Sequence, residues 1–200
     1  MPIGPGFPDV LAAAQLGEEW AITVVYRAYS GPLLRYLAAR VGAEAEDVAS
    51  QVWLEAARGL PRFGGAEDDL RAWLFTIGAR RAANWHRGRH RRPYDLVEGE
   101  TLERFEATAA DPAPFVEAQL DGEAAARLVS DVLPAPQAEV VLLRVVGGLS
   151  VEQVAEIVGK RPGTVRVLQH RGLRRLAEVL GQEHDLGVTP PTRPGMEGTR

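Results

Sequence analysis

With 200 residues, 46% of them apolar, the chain can bury either one sizeable core or two small ones. The lack of cysteine excludes a disulfide framework, a thiol nucleophile and a cysteine-ligated zinc site, and no apolar run approaches the roughly 20 residues that span a bilayer. A net charge of −4 argues against a uniformly basic nucleic-acid binder, yet the charge is blocked: residues 79–93 carry six arginines and no acid, 93–123 nine acids and one arginine, and 160–175 six cations and no acid.

That segregation suits a field aimed at a polyanion at two separate points. The first eight residues lack the basic start of a secretory signal, so a soluble, cytoplasmic protein is expected.

Along the chain, residues 1–17 read as an amino-terminal extension. Apolar spacing then predicts helices over 18–29, 32–41, 44–59 and 69–89, with Ser30-Gly31-Pro32 and Gly64-Gly65 as breakers. The acidic, aromatic-poor stretch that follows is expected to be a flexible linker, assigned to 94–127. A second helical set is predicted over 114–130, 136–146, 151–158 and 162–180, ending in a disordered tail over 181–200. Period-two alternation is nearly absent, so the fold class is all-α: two small helical domains, 18–93 and 128–180, joined by the linker.

The second domain carries the more explicit local grammar. Gly147-Gly148 stops one helix, Ser150 and Gln153 form a capping box for the next, and Gly159 and Pro162 punctuate a tight turn into a third. This is a helix-turn-helix. In its second helix Val165, Leu168 and Leu176 share an inward stripe, leaving Arg166, Gln169, His170 and Arg174 outward, where Arg and Gln reach base edges and cations hold phosphates.

The first domain opens its third helix with Glu46-Asp47-Val48-Ala49-Ser50-Gln51-Val52-Trp53-Leu54, continues through Leu60-Pro61-Arg62-Phe63, and runs from Leu70-Arg71-Ala72-Trp73-Leu74-Phe75-Thr76-Ile77 into the arginine cluster. This order resembles the extracytoplasmic-function (ECF) sigma factors of the sigma-70 superfamily. Leu149-Ser150-Val151-Glu152-Gln153-Val154-Ala155 and 163–173 resemble the same family's fourth region. Departures stand at Ser50, Gln51, Asn84 and Arg161, where family members usually carry other residues.

The resemblance implies a sigma factor that binds core RNA polymerase through its β and β′ subunits, directs it to promoter DNA and assists melting. Asp47, Ser50, Gln51 and Glu55 would dock on polymerase. Arg62 and Phe63, in the loop over 59–69, would hold a base flipped from the non-template strand, since capture offsets lost stacking. Arg80, Arg81, Asn84, Arg87 and Arg89 would face the minus-ten element, and Arg161, Thr164, Arg166, Gln169, His170, Arg171 and Arg174 the minus-thirty-five element. An anti-sigma factor is a further expected partner; no cofactor, metal, membrane contact or catalytic residue is expected.

Two other readings compete. A helix-turn-helix regulator without polymerase affinity explains the second domain but not the first. An enzyme could use His86 and His90, spaced i, i+4 for a metal, but the surrounding arginines would repel a cation and no carboxylate lies nearby in sequence.

Overall fold

A computed structural model describes residues 2–89 and 122–185, and every regular element among them is helical. The amino-terminal module comprises α1 (Phe7–Gln15), α2 (Glu19–Val41), α3 (Ala45–Gly59) and α4 (Glu67–Arg89). The carboxy-terminal module comprises α5 (Glu123–Val132), α6 (Ala135–Val141), α7 (Val151–Val158) and α8 (Pro162–Asp185). Short 3-10 turns stand at Gly4–Gly6, Gly42–Glu44 and Leu60–Arg62, and a π turn over Leu142–Val146 continues α6.

Three expectations need correction. The extension is not featureless: Pro8 in the first turn and an apolar side formed by Phe7, Val10 and Ala14, all buried, make α1. The expected break at Ser30-Gly31-Pro32 is absent, and α2 runs through Pro32. Its reason is a buried stripe, Val25, Tyr29, Leu33, Tyr36 and Leu37, that crosses the proline. An interior proline costs about 3 kcal/mol, whereas burying each such large side chain stabilises by about 1.5–3 kcal/mol. Helix α8 extends to Asp185, five residues into the expected tail. The rest of that tail and residues 90–121, which hold most of the expected linker, lie outside the described residues; α5 begins at Glu123, within the linker's assigned bounds.

Helix α3 buries Ala45, Val48, Val52 and Ala56, and α4 buries Leu70, Leu74, Phe75, Ile77 and Ala82. On α3 the spacings of three and four make one inward side, and on α4 Leu70, Leu74 and Ile77 do the same, with Phe75 and Ala82 seven apart beside them. The two modules also pack on each other, because α2 meets both α5 and the π turn. At that junction Tyr36 is fully buried, its ring 5.5 Å from that of Phe75 edge-on, and its hydroxyl donates to Glu139 Oε1 at 2.5 Å. Arg40 Nε lies 2.6 Å from Glu139 Oε2. Burial, then the Glu139 charge, pushes the Tyr36 hydroxyl well above its ordinary pKa, so it remains a donor. At the junction's other end Gln153 Nε2 donates to the Asp68 carbonyl at 3.2 Å.

Candidate nucleic-acid interface

The helix-turn-helix forms as its capping residues dictate. Ser150 Oγ accepts from Gln153 N at 3.1 Å, and Gln153 Oε1 accepts from Ser150 N at 2.9 Å. Gly159 ends α7 at φ 64°, in the left-handed region where a side chain is strained, and Lys160 N then closes onto Ala155 O at 3.0 Å. Val165, Leu168, Leu173 and Leu176 seat α8 in the core. That fixes which cations face solvent.

Arg161, Arg166 and Arg174 are exposed, while Thr164, His170 and Arg171 are half-buried. Arg166 Nη2 is 3.2 Å from Glu152 Oε1, and Arg174 Nε is 3.0 Å from Glu178 Oε1. Both pairs are solvent-exposed, worth at most about 1 kcal/mol, and so exchangeable for phosphate or base contacts. Gln169 is held more firmly: its Oε1 accepts from Arg144 Nε at 3.1 Å, and Arg144 also donates to the Leu149 carbonyl.

In the amino-terminal module Asp47, Ser50 and Gln51 are exposed on α3, with Ser50 Oγ donating back to Glu46 O at 3.0 Å. Glu55 stands at the edge of their face, about 40° beyond Gln51. Eight residues from Asp47, it lies about 80° around the helix and turns to α4, where Oε2 accepts from Arg81 Nε at 3.0 Å and Nη2 at 2.7 Å, and Oε1 from Arg80. The residue that does continue the stripe is Leu54, 59% exposed. It edges a groove of about 620 Å3 with Ile22, Tyr26 and Trp53, the last two rings 4.9 Å apart. The docking residues implied by the resemblance are polar, and this apolar surface was missed; the large side chains Ile22 and Tyr26, off the inward stripe of α2, were its signal.

In the loop, Arg62 is exposed, and Phe63 is half-buried with its ring 5.3 Å from that of Trp73. Along α4, Asn84 and Arg87 are exposed and bonded to each other, while Arg89 ends the helix and its side chain lies outside the described residues. His86 Nε2 is 2.8 Å from the Arg40 carbonyl, and His90, its expected partner, lies outside the described residues.

A helix-turn-helix with an outward cationic second helix, and a second basic helix in the other module, place the chain among DNA-binding factors. Comparison with known proteins narrows this class. Residues 25–92 match Sigma-70 region 2, and residues 125–176 match Sigma-70, region 4. The ECF RNA polymerase sigma factor SigD of Mycobacterium tuberculosis is 38% identical over 184 residues, covering 88% of this chain and 84% of that protein. BldN of Streptomyces coelicolor, another ECF sigma factor, is 35% identical over 174 residues, covering 86% of this chain and 65% of that protein. Two solved structures share the fold. CnrH, in complex with the cytosolic domain of CnrY, aligns at a TM-score of 0.56 with 20% identity, over 87% of this chain and 96% of that one. The sigma factor RpoE, in complex with the anti-sigma factor NepR from Bartonella quintana, aligns at 0.51 with 22% identity, over 74% and 89%. The chain belongs to the ECF sigma-factor family and directs RNA polymerase in transcription initiation.

Proposed function

We propose that the module over 18–93 docks on core polymerase and reads the minus-ten element, and that the module over 128–180 reads the minus-thirty-five element. Docking is assigned to the stripe Asp47, Ser50, Gln51 and Leu54 with the adjoining groove at Tyr26 and Trp53. The observation that carries it is the exposure of large apolar side chains beside an acidic helix entry, a combination that excludes water when covered. Glu55, at the edge of this surface, is the counter-ion of Arg80 and Arg81.

Promoter reading is assigned to Arg62 and Phe63 in the loop, to Arg80, Arg81, Asn84, Arg87 and Arg89 on α4, and to Arg161, Thr164, Arg166, Gln169, His170, Arg171 and Arg174 around the recognition helix. The protein acts without catalysis of its own and in the cytoplasm, where polymerase works. A regulatory partner of the anti-sigma kind is proposed by analogy with RpoE, whose solved complex holds one.

The test is co-elution with core enzyme. Asp47→Lys combined with Leu54→Ala should weaken the complex at least tenfold, with helicity unchanged, because an interface anchor and a charge are lost together. Unchanged co-elution sinks the assignment of docking to this surface.

A further inference from the structure

The loop between α3 and α4 opens with the 3-10 turn Leu60–Arg62, packs Phe63 on Trp73, and then runs through Gly64 and Gly65, which bring no side chain to hold it. It closes Phe63 N onto Leu60 O at 3.0 Å and Ala66 N onto Asp69 Oδ2 at 2.8 Å, and its other bonds reach to the amino-terminal extension. Gln15, the last residue of α1, donates both hydrogens of its side-chain amide to loop carbonyls: Nε2 is 3.1 Å from Leu60 O and 2.7 Å from Phe63 O. At the loop's far end Glu67 accepts from Ile3 N at 2.5 Å, from Gly4 N at 2.8 Å and from the Tyr29 hydroxyl at 2.9 Å. The extension therefore clasps the loop at both ends, four of these bonds coming from residues 3, 4 and 15. Phe7, Val10 and Ala14 anchor that clasp in the core. Between the two ends, a cleft of about 460 Å3 opens with Pro8, Leu11 and Gln15 on one wall and Gly65 and Glu67 on the other.

From this geometry we infer that the amino-terminal extension is part of the promoter-reading apparatus, with Gln15 as a positioning residue that fixes the backbone of the base-holding loop. The inference rests on the reading of that loop as the site of base capture. A captured base gains binding energy only against a wall that is already in place, because ordering a glycine loop at the moment of capture offsets the contacts made. Gln15 supplies that order through the two carbonyls flanking Arg62, so its influence reaches the promoter through the loop and not through contact with DNA. The expected signature is loss of discrimination at one or two minus-ten positions, with reading of the minus-thirty-five element untouched.

The experiment compares Gln15→Leu, which keeps volume but loses both donors, with Gln15→Lys, which keeps a donor at similar reach, in reconstituted holoenzyme on a library of minus-ten variants. Permanganate reactivity reports melting, and amide exchange of free protein reports loop order. Gln15→Leu should speed exchange across 60–66 by about 5–10-fold and flatten minus-ten selectivity by a comparable factor, with Gln15→Lys restoring part of both. Arg62→Ala with Phe63→Ala is the companion arm. If it changes minus-ten selectivity while Gln15→Leu does not, the brace is refuted and the loop reading stands; if neither changes it, the loop reading fails and the brace fails with it. A Gln15→Leu protein whose exchange rises throughout both modules has lost stability at large, and that result also overturns a positioning role.

Discussion

Burial opposes the charge of Glu67, but the N–H groups of Gly4 and Ile3, the Tyr29 hydroxyl and Arg71 together hold its carboxyl below the ordinary carboxylate pKa. A folded value below the unfolded one means that the carboxylate's contribution to stability is complete at neutral pH and is lost as pH falls through the folded value. Acidification should therefore release the amides of Ile3 and Gly4 before the cores unfold, and Glu67→Gln should abolish that pH step. Amide exchange followed against pH by NMR checks this; identical profiles for the two proteins would count against the clasp. A second residue-level consequence concerns Glu55, whose single charge is shared by Arg80 and Arg81. If those arginines meet the minus-ten strand, Glu55→Gln should tighten holoenzyme binding to that single strand. It should also steepen the slope of log K against log salt by roughly 0.7 for each phosphate newly contacted. An unchanged slope would mean that neither arginine touches phosphate.

At the scale of elements, legibility followed locality. The capping box at Ser150 and Gln153 and the stop at Gly159 are written within a few residues, and the helix-turn-helix follows from them. Helix α2 does not, because Gly31-Pro32 is locally a breaker and only the distant surfaces packed on Tyr29 and Leu33 overrule it. The same holds for Glu55, whose partner Arg81 lies 26 residues away, and for Gln15, whose partners lie 45 and 48 residues away. Close approach of α8 to α6 is equally non-local: a Cβ at Gly172 would stand 2.8 Å from Val141 Cγ2 and 3.2 Å from Leu133 Cδ1. Gly172→Ala should thus overpack the carboxy-terminal module and destabilise it by about 1–3 kcal/mol. Thermal unfolding checks the cost, and a melting temperature equal to wild type would show that α8 can slide to accept the methyl group.

For the whole molecule the question is how one packed body reaches two promoter elements. The minus-ten and minus-thirty-five elements are separated by about 25 base pairs, roughly 85 Å of B-form DNA. A compact body of about 150 residues has a radius of gyration of about 15 Å. The two reading faces proposed above cannot both engage while α2 stays packed on α5 and the π turn, so promoter binding must part the modules and break the Tyr36–Glu139 bond and the Arg40–Glu139 ion pair. Tyr36→Phe removes the bond yet keeps the ring against Phe75. A hydrogen bond to a charged acceptor is worth about 1.5–3 kcal/mol, which is roughly a 10- to 150-fold shift toward the parted state. The chain has no cysteine of its own, so a donor and an acceptor dye can be placed at Ala43→Cys and Glu156→Cys, both exposed positions, one in each module. Energy transfer in free protein should fall in the Tyr36→Phe variant, and in the holoenzyme–promoter complex both proteins should reach the same low value, since polymerase and DNA then fix the spacing. Wild-type transfer that stays unchanged from free protein to promoter complex would mean that the packed body binds as it stands, and would remove at least one of the two reading faces.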